Sequence, residues 1–473
     1  MIIGAGMSGL AAGIRLAYFG KKVCILEKHH RVGGLNSFYS KEGYKLEVGL
    51  HAMTNYVPKG VKSTPLPKLL RQLRLKYEDL DLCQQRMSVI NFPEKKLRFT
   101  NDLDLLVNEV AQNFPAQTDN FQRLLNTISE YDELSLEAKP LSARQVVCST
   151  ISDPLLVDMI FCPLMYYGSA KEHDMDFAQF VIMFKSIFCE GFARPRNGVR
   201  HILDLLVRKY RDCGGELRTR SGVERVRVSG GRVASLLVEN GEVLTADTVL
   251  SSAGYVETMN LLSDREATVS QHEVGQLSFI ESILVLNKQP SEMGLDTTIV
   301  FFNDSGRFGY RKPESLIDIS SGVICCPDNF FFGGPPVENV IGRHVPQNVI
   351  RITNMANFDR WNSLSEEEYK AQKEACLKAA LEAAVRVVPD FRDSIVFTDM
   401  FTPKTIYKFT GHLNGAVYGS PQKVRNGRTH LENLFICGTD QGFLGIVGAM
   451  LSGISIANLH LLKQGRRGSQ RER

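Results

Sequence analysis

Three glycines near the start of the chain, Gly4, Gly6 and Gly9, form a G-x-G-x-x-G loop, and an acidic residue, Glu27, follows it. Glycines at this spacing let the backbone approach a pyrophosphate, and the start of the next helix places partial positive charge beside it. A carboxylate at the end of the second strand can accept hydrogen bonds from ribose hydroxyls. The loop therefore predicts a dinucleotide site, which by itself fits NAD or FAD.

The elements around this loop have the order that such a site requires. A short first strand is predicted for "MII", a helix with one apolar face for "MSGLAAGIRLAYFG", and a second buried strand for "KKVCILEK". Strand, glycine turn, helix, strand and acid within about 30 residues make the motif specific. Because only Met1–Ile3 precede the loop, we expect a shortened central strand.

The next segment, "RVGGLNSFYSKEGYKLEVGLHAM", resembles the large FAD-binding class that includes amine oxidases and carotenoid desaturases. In that class a basic residue and two glycines bring a second backbone segment to the FAD phosphates and ribose, and Arg31, Gly33 and Gly34 match them here. A D-x-G turn beside the flavin corresponds to residues 47–49, with Glu47 in place of Asp. The resemblance implies that the cofactor is FAD.

Two later segments match further FAD-binding pieces of this class in the expected order. Segment 222–254 alternates as hairpin strands, and the resemblance places Val223 at the adenine and Ala253-Gly254 near the cofactor. Near the C-terminus, residues 434–437 predict a strand and 438–440 a turn, where Asp440 can accept a ribityl hydroxyl. A helix that starts near Ile446 would direct its amides at the flavin carbonyl that becomes negative on reduction.

These matches give a dispersed set of predicted cofactor-binding residues and a short set of catalytic candidates. The cofactor-binding set is Gly4, Gly6, Met7, Ser8, Gly9, Glu27, Lys28, Arg31, Gly33, Gly34, Leu35, Gly49, Val223, Ala253, Gly254, Gly438, Asp440, Gly445, Ile446 and Val447. Because a flavin carries the difficult redox step, the protein mainly supplies geometry. The catalytic candidates are His51, as a base or polar orienter after the flavin turn, and Glu47.

The composition limits the class of protein. A chain of 473 residues with 43% hydrophobic and 23% charged residues predicts two or more globular domains. The net charge of +4 is too small to indicate a nucleic-acid partner, and the most apolar stretch, 445–462, is interrupted by Gly, Ser, Asn and His. Ten scattered cysteines without a C-x-x-C motif predict reduced thiols in a cytoplasmic protein and no metal site.

The predicted fold class is α/β, with a discontinuous Rossmann-like FAD-binding domain and an inserted α+β substrate domain. We assign residues 1–60, 191–270 and 396–473 to the FAD-binding domain, 61–190 to a helical region facing substrate or membrane, and 271–395 to a sheet-and-helix substrate domain. In the last of these, strands are predicted at 279–287, 298–302 and 348–355, and a helix from Ser365 whose capping box includes Glu368. The absence of a second G-x-G-x-x-G predicts no dedicated NAD(P)H domain.

Aromatic-rich segments indicate the substrate class. Residues 159–168 and 325–336 predict an apolar tunnel or a peripheral membrane contact, with Tyr166 and Tyr167 as tunnel walls. We expect at least two of the three phenylalanines at 330–332 to be buried between domains. The basic residues of 463–473 form a short tail, either solvated or against anionic lipid.

Segments 192–217 and 402–419 resemble phytoene desaturases, carotenoid isomerases and retinol saturases. The resemblance implies an FAD-dependent oxidoreductase that desaturates, isomerises or saturates C–C bonds of a long apolar isoprenoid. An amine or amino-acid oxidase is the first alternative, and it would need a charged anchor in its pocket. A non-catalytic FAD-binding paralogue is the second, and its flavin would resist reduction and reoxidation.

Overall fold

The computed structural model of the chain describes residues 1–49, 51–135, 139–263, 269–332 and 348–462. Its strands are β1 (Ile2–Ile3), β2 (Cys24–Leu26), β3 (Phe38–Lys41), β4 (Tyr44–Glu47), β5 (Leu82–Gln84), β6 (Ser88–Asn91), β7 (Lys96–Phe99), β8 (Ala193–Pro195), β9 (Glu216–Arg218), β10 (Val223–Ser229), β11 (Arg232–Val238), β12 (Val243–Leu244), β13 (Val249–Ser251), β14 (Ser278–Leu286), β15 (Ile299–Asn303), β16 (Ser321–Cys325), β17 (Val349–Ala356), β18 (Ile395–Phe401) and β19 (Leu434–Ile436). Its α-helices are α1 (Met7–Tyr18), α2 (Pro65–Leu73), α3 (Leu103–Asn113), α4 (Thr118–Glu130), α5 (Ala143–Thr150), α6 (Pro154–Gly168), α7 (Phe177–Phe184), α8 (Gly198–Asp212), α9 (Tyr255–Asn260), α10 (Phe358–Asn362), α11 (Glu366–Ala384), α12 (Pro403–Thr410) and α13 (Gly445–Ile456).

A five-stranded parallel sheet, in the order β19-β13-β1-β2-β9, forms the first half of the molecule. Its central strand is only Ile2–Ile3, but both side chains are buried and Ile2 lies opposite Leu250 on one side and Ile25 on the other. Helices α1, α8 and α13 pack together beside it in one apolar cluster. This arrangement confirms the Rossmann-like α/β prediction, including the shortened central strand.

The predicted hairpin of segment 222–254 is present as the antiparallel strands β10, β11 and β12. Val226 and Leu236 of this small sheet pack against Ile3 and Val249 of the parallel sheet. The hairpin is therefore attached to the dinucleotide-binding half of the molecule, as the sequence predicts.

The second half contains a seven-stranded mixed sheet in the order β18-β14-β17-β16-β15-β6-β7. Helix α11 covers one face, where Ala380 and Ala384 meet Leu284 and Ile350. The predicted strands β14, β15 and β17 are present, and Ser365 and Glu368 form the expected capping box of α11.

The boundaries of this half differ from the sequence interpretation. The region 61–190, predicted to be helical, also contains β5, β6 and β7, and the last two extend the larger sheet through the parallel pair β15-β6. Strand β18 crosses the predicted boundary at 396. Strands of four residues carry too little alternation to be recognised beside long helical patterns, which is why β6 and β7 were missed.

Helices α3 to α7 enclose a large phenylalanine-rich core against β15 and β16. Acidic residues begin several of them, because a carboxylate can accept the unpaired amides of a first turn: Asp102, Asp153 and Asp176 cap α3, α6 and α7. The acidic stretch 171–176 thus provides helix and loop contacts, including Asp174 with Ser142. All ten cysteines are free thiols.

Among the described residues, Gly445–Leu462 is long and apolar enough to cross a membrane by length and composition, with a mean hydropathy of 1.6. Half of this stretch is buried inside the protein, and α13 packs along α1. A buried core helix meets the same two criteria. Residues 333–336 of the aromatic segment and the basic tail 463–473 lie outside the described residues.

Candidate active site and cofactor cavity

One cavity runs between the two halves and is lined by residues from both. The dinucleotide-binding half contributes twelve of the predicted site residues: Gly6, Met7, Ser8, Gly33, Gly34, Leu35, Gly49, His51, Gly254, Asp440, Gly445 and Ile446. The larger sheet and its helices contribute mainly aromatic and aliphatic side chains, among them Tyr166, Tyr167, Phe279, Val323, Phe401 and Ile406. The structure therefore brings segments from residue 6 to residue 446 to one site.

Two glycines of the loop lack a side chain for different reasons: Gly6 borders open space, and Gly9 packs against the backbone of the loop itself. A Cβ at Gly6 would meet no atom within 4 Å, and Gly6 lines the cavity. A Cβ at Gly9 would overlap the carbonyl oxygen of Gly4, so Gly9 allows the helix to pack closely on the loop. Helix α1 begins with no side-chain cap and no acid in its first turn. Its first amides suit an anionic group such as a phosphate.

A second backbone segment lies against this loop. The amide of Gly33 donates to the carbonyl oxygen of Ala5 at 2.9 Å, and Gly6 pairs with Gly33 in a parallel bridge. Gly33 and Gly34 have φ angles of +115° and +55°, which favour glycine. The two glycines that carry the family resemblance therefore form a second wall of the cavity.

The acid after the second strand supports the loop directly. Glu27 Oε2 accepts from the amide of Ala5 at 2.7 Å, and Oε1 accepts from the amide of His29 at 2.8 Å. Burial raises the pKa of Glu27, and these amide bonds act in the opposite direction. A carboxylate has about four acceptor positions, and the bonds from Ala5 and His29 leave others open. A hydrogen bond from a ribose hydroxyl to Glu27 stays a prediction.

The turn after β19 is held by a similar arrangement. Asp440 Oδ2 accepts from the amide of Tyr255 at 2.6 Å, and Oδ1 accepts from the amide of Ser420 at 2.8 Å. Helix α13 then begins at Gly445, with no side-chain cap and no acid in its first turn. Its open amides border the cavity, as expected for a helix directed at a developing negative charge.

Ten of the predicted residues lie outside the cavity lining: Gly4, Gly9, Glu27, Lys28, Arg31, Glu47, Val223, Ala253, Gly438 and Val447. Lys28 pairs with Glu239 at 3.5 Å, and Arg31 Nη1 donates to the carbonyl oxygen of Phe38 at 2.8 Å. Val447 is buried in the helix core. A role for these ten positions at the site stays a prediction.

The catalytic candidate Glu47 contacts two other parts of the chain. One of its oxygens pairs with Arg194, and the other accepts from the amide of Val199 in the first turn of α8. A Cβ at Gly198 would overlap the same carboxylate, which shows how closely the chain packs there. Both oxygens therefore help to attach β4 to the segment that leads into α8, and a chemical role for Glu47 stays a prediction.

His51, the other catalytic candidate, lines the cavity and belongs to a polar network on the larger sheet. Its Nε2 lies 2.8 Å from Glu281 Oε1 and 3.3 Å from Thr353 Oγ1. Arg351 Nε donates to Glu281 Oε1 at 2.6 Å. Burial acts to raise the pKa of Glu281, but Arg351 and His51 outweigh it and lower the pKa to about 2. Glu281 is thus held as an anion.

Local spacing did not reveal this network, because its members lie far apart in the sequence. A signal was present, however: Glu281 is the lone charge in "SFIESILVL" and Arg351 the lone charge in "VIRITNMA", two apolar runs that predict buried strands. In the sheet, β14 and β17 are antiparallel neighbours, with Glu281 opposite Thr353 and Ile283 opposite Arg351. Single charges of opposite sign in two buried strands predict a buried ion pair.

The other end of the cavity is apolar with aromatic walls. Tyr166 Oη lies 2.8 Å from Ser321 Oγ, and Tyr418 Oη donates to the carbonyl oxygen of Tyr166. The hydroxyl of Tyr167 is buried and has no hydrogen-bond partner among the described residues. Val323 completes this wall between the rings. Tyr166 and Tyr167 both line this part of the cavity, and their role as walls of a substrate tunnel stays a prediction.

The residues present fit FAD. A glycine turn with open space at Gly6, uncapped starts of α1 and α13, and the buried carboxylate of Asp440 line one continuous cavity. These groups suit phosphate, flavin carbonyl and hydroxyl groups in turn. When bound, the flavin accepts or returns a hydride, and the residues around it orient the partner molecule.

Comparisons with known proteins agree with this fit. The model of the family "Flavin containing amine oxidoreductase" matches residues 7–459. Prolycopene isomerase 2 of an Oncidium hybrid cultivar is 21% identical, over 97% of this chain and 83% of its own length. All-trans-retinol 13,14-reductase of Danio rerio is 22% identical, over 98% of this chain and 86% of its own length.

A solved structure shows the same fold. An oxidoreductase from Methanosarcina mazei superposes with a TM-score of 0.65 and 17% identity, covering 97% of this chain and 99% of its own. The family match extends over nearly the whole chain and includes both halves of the cavity. The chain therefore belongs to the flavin-containing amine oxidoreductases, and it is an oxidoreductase whose cofactor is FAD.

Proposed function

We propose that this enzyme uses FAD to desaturate, isomerise or saturate C–C bonds of a long apolar isoprenoid such as a carotenoid precursor. The observation that carries the proposal is the aromatic and aliphatic end of the cavity, where Tyr167, Phe279, Val323 and Tyr418 surround the space beyond the flavin-side turn. Walls of this kind bury an extended apolar chain and offer few polar groups to anything else. The relatives named for prolycopene and retinol provide independent support.

An amine substrate is less well supported by the same cavity. An amine oxidase needs an uncompensated anion to attract its cationic substrate, and Glu281 is the carboxylate that the larger sheet contributes to the cavity lining. Arg351 and His51 already contact Glu281, and Thr353 Oγ1 donates to its second oxygen. Because this charge is neutralised inside the protein, it gives little attraction to a further cation.

Within this function we assign His51 a proton-transfer or orienting role. Removing hydrogen across a C–C bond as a hydride and a proton leaves the proton to be accepted by a nearby group. The His51 ring lines the cavity, and its Nε2 is oriented by Glu281. In the described part of the chain, Nδ1 has no hydrogen-bond partner, which leaves this nitrogen available for exchange with a ligand or water.

The reaction is tested by expressing the protein in a host that accumulates a poly-cis or colourless carotenoid. We expect new pigments on extraction, because desaturation, isomerisation and saturation each shift the absorption spectrum differently. A parallel assay for hydrogen peroxide with a panel of amines tests the alternative. Unchanged pigments together with amine-dependent peroxide would reject the isoprenoid proposal in favour of an amine oxidase.

We also propose a peripheral membrane contact through α12 near the cavity. Ile406 of this helix lines the cavity, while Tyr407 and Phe409 are 45% and 53% exposed. Lys404 precedes the two aromatic residues and Lys408 lies between them in the sequence, a pattern suited to an anionic lipid surface. The earlier candidate segment contributes less, because Phe330 is buried, Phe332 packs on the core and only Phe331 is largely exposed.

Flotation with vesicles of anionic lipid, compared with zwitterionic vesicles, tests this contact. We expect the protein to float with the anionic vesicles at low salt and Phe409→Ser to reduce the floating fraction. Leu134→Ser, which removes an exposed apolar side chain elsewhere, is the matched control. A protein that stays in the soluble fraction with both vesicles at low salt would reject the contact.

A further inference from the structure

The cavity has few positive charges for a cofactor that carries two phosphates. Among the described residues that line it, the basic side chains are His51 and His412, and no lysine or arginine is present. His51 is engaged by Glu281 beside the aromatic walls. Among the described lining residues, His412 is therefore the basic group at the dinucleotide-binding end of the cavity.

His412 lies beside segments of the dinucleotide-binding half. It follows α12, in the segment 402–419 whose resemblance to the carotenoid enzymes has no assigned role so far. Its Cε1 would lie 3.4 Å from a Cβ at Gly254, a glycine that also lines the cavity. Gly254 precedes Tyr255, whose amide binds Asp440. His412 is thus close to two of the predicted FAD-binding segments.

A carboxylate on α9 holds the ring of His412. Glu257 Oε1 lies 3.4 Å from His412 Nδ1 and accepts from the amide of Leu413 at 2.9 Å. Nδ1 is buried and forms no hydrogen bond of good geometry with the described residues. Glu257 therefore lies beside the ring of His412 and binds the backbone amide that follows it.

The charges that face His412 come from three elements. They are Glu257 of α9, Asp440 of the turn after β19, and Lys423. Burial lowers the pKa of His412, but Glu257 and Asp440 act against it, and the balance raises the pKa above the ordinary value of 6.5.

We propose that His412 is a cofactor-binding residue, which donates a charge-assisted hydrogen bond to an anionic phosphate oxygen of FAD while Glu257 positions its ring. The open amides of α1 alone leave the phosphates without a cationic partner in this cavity, and His412 supplies one. The inference concerns cofactor affinity, so it holds or fails independently of the isoprenoid substrate.

Release of FAD from the purified holoprotein tests the assignment. The free flavin is measured in the filtrate after dilution and ultrafiltration, for wild type, His412→Gln and the control His430→Gln, an exposed histidine outside the cavity. We expect His412→Gln to weaken FAD binding about tenfold, as for a hydrogen bond to a charged group. His430→Gln should bind like wild type. Equal affinity of His412→Gln and wild type would overturn the proposal.

The pH dependence separates a charge effect from a general loss of structure. Wild type should retain FAD more tightly at pH 6 than at pH 9, because the imidazolium is lost as pH rises through the raised pKa of His412. His412→Gln should lack that component, and Glu257→Gln should move its midpoint to lower pH. Far-UV circular dichroism and the Tm of the flavin-free variants confirm folding. A pH dependence that is the same in His412→Gln as in wild type would overturn the proposal.

Discussion

Nε2 of His51 lies 2.8 Å from Oε1 of Glu281, although 230 positions separate the two residues in the chain. The contact joins the turn after β4, in the dinucleotide-binding half, to β14 of the larger sheet. Arg351 extends the connection, because its Nη2 donates to the carbonyl oxygen of Val48 at 2.5 Å. The catalytic candidate is therefore fixed by a network that spans the cavity.

Replacing Glu281 by Gln should slow turnover while leaving the flavin bound. The amide keeps the shape of the side chain but removes the anion that orients His51 and pairs with Arg351. We expect kcat to fall about tenfold or more, within the range for disturbed acid–base groups, with KM less affected. Steady-state kinetics and the flavin content of the purified protein provide the measurement.

The control for this change is Glu366→Gln, an exposed acid at the start of α11. It should match wild type in kcat and flavin content. If Glu281→Gln lowered flavin content and left kcat per bound flavin unchanged, the orienting role of Glu281 would be wrong.

The stability of the protein in acid should depend on the same residue. The folded-state pKa of Glu281 is depressed from 4.5 to about 2, so its stabilisation is complete above pH 4.5 and is lost as pH falls toward 2. The difference corresponds to about 3 kcal/mol in the free energy of unfolding. Urea unfolding at pH 6.5 and pH 3.5 should show that the gap between wild type and Glu281→Gln narrows in acid. A constant gap would contradict the assignment.

Two alanine substitutions in the glycine loop should separate cofactor binding from folding. Gly6 has φ −71° and ψ 178°, which alanine tolerates, and its Cβ would enter the cavity without touching protein. Gly6→Ala should therefore lose FAD affinity and keep the stability of the flavin-free protein within about 0.5 kcal/mol.

Gly9→Ala should instead destabilise the flavin-free protein by about 2 kcal/mol, because the methyl group overlaps the carbonyl oxygen of Gly4. Flavin titration and thermal unfolding of both variants measure the two effects. If Gly6→Ala retained FAD like wild type, the loop would not face the cofactor.

Neighbouring tyrosines offer a matched pair at the apolar end. The hydroxyl of Tyr167 has no hydrogen-bond partner among the described residues, whereas Tyr166 Oη lies 2.8 Å from Ser321 Oγ. Tyr166→Phe should cost about 1 kcal/mol of stability with turnover kept. Tyr167→Phe should keep stability within about 0.5 kcal/mol, because the buried hydroxyl forms no hydrogen bond with the described residues. Slower turnover in this variant would show that the substrate contacts the hydroxyl. A Tyr167→Phe variant with wild-type turnover would show that this hydroxyl has no role with the substrate.

Local patterns predicted much of the dinucleotide-binding half. The loop at Gly4–Gly9, the hairpin of 222–254 and the turn at Asp440 each depend on residues that are close in sequence, so local patterns predict them as structural elements. The assignment of the hairpin and the turn to FAD rests on the family resemblance. The capping box of Ser365 and Glu368 was identified for the same reason. Such local patterns do not show which segments contact each other in the folded protein.

The polar network shows that limit in physical terms. Whether Glu281 contacts His51, Arg351 or solvent depends on the register of β14 against β17 and on the placement of the turn after β4. Glu47 shows the same limit: its position in a family motif predicts chemistry, but the sequence does not show that its carboxylate also binds Arg194 and the amide of Val199. The role of each of these side chains depends on which residues it contacts in the folded protein. A single sequence does not specify those contacts.

The strand order β19-β13-β1-β2-β9 places Ile2–Ile3 one strand away from Leu434–Ile436. A ribosome that has not yet made residues 434–456 carries a chain that lacks both the last strand and α13. The cavity for the flavin is therefore incomplete until residues 434–456 have been translated.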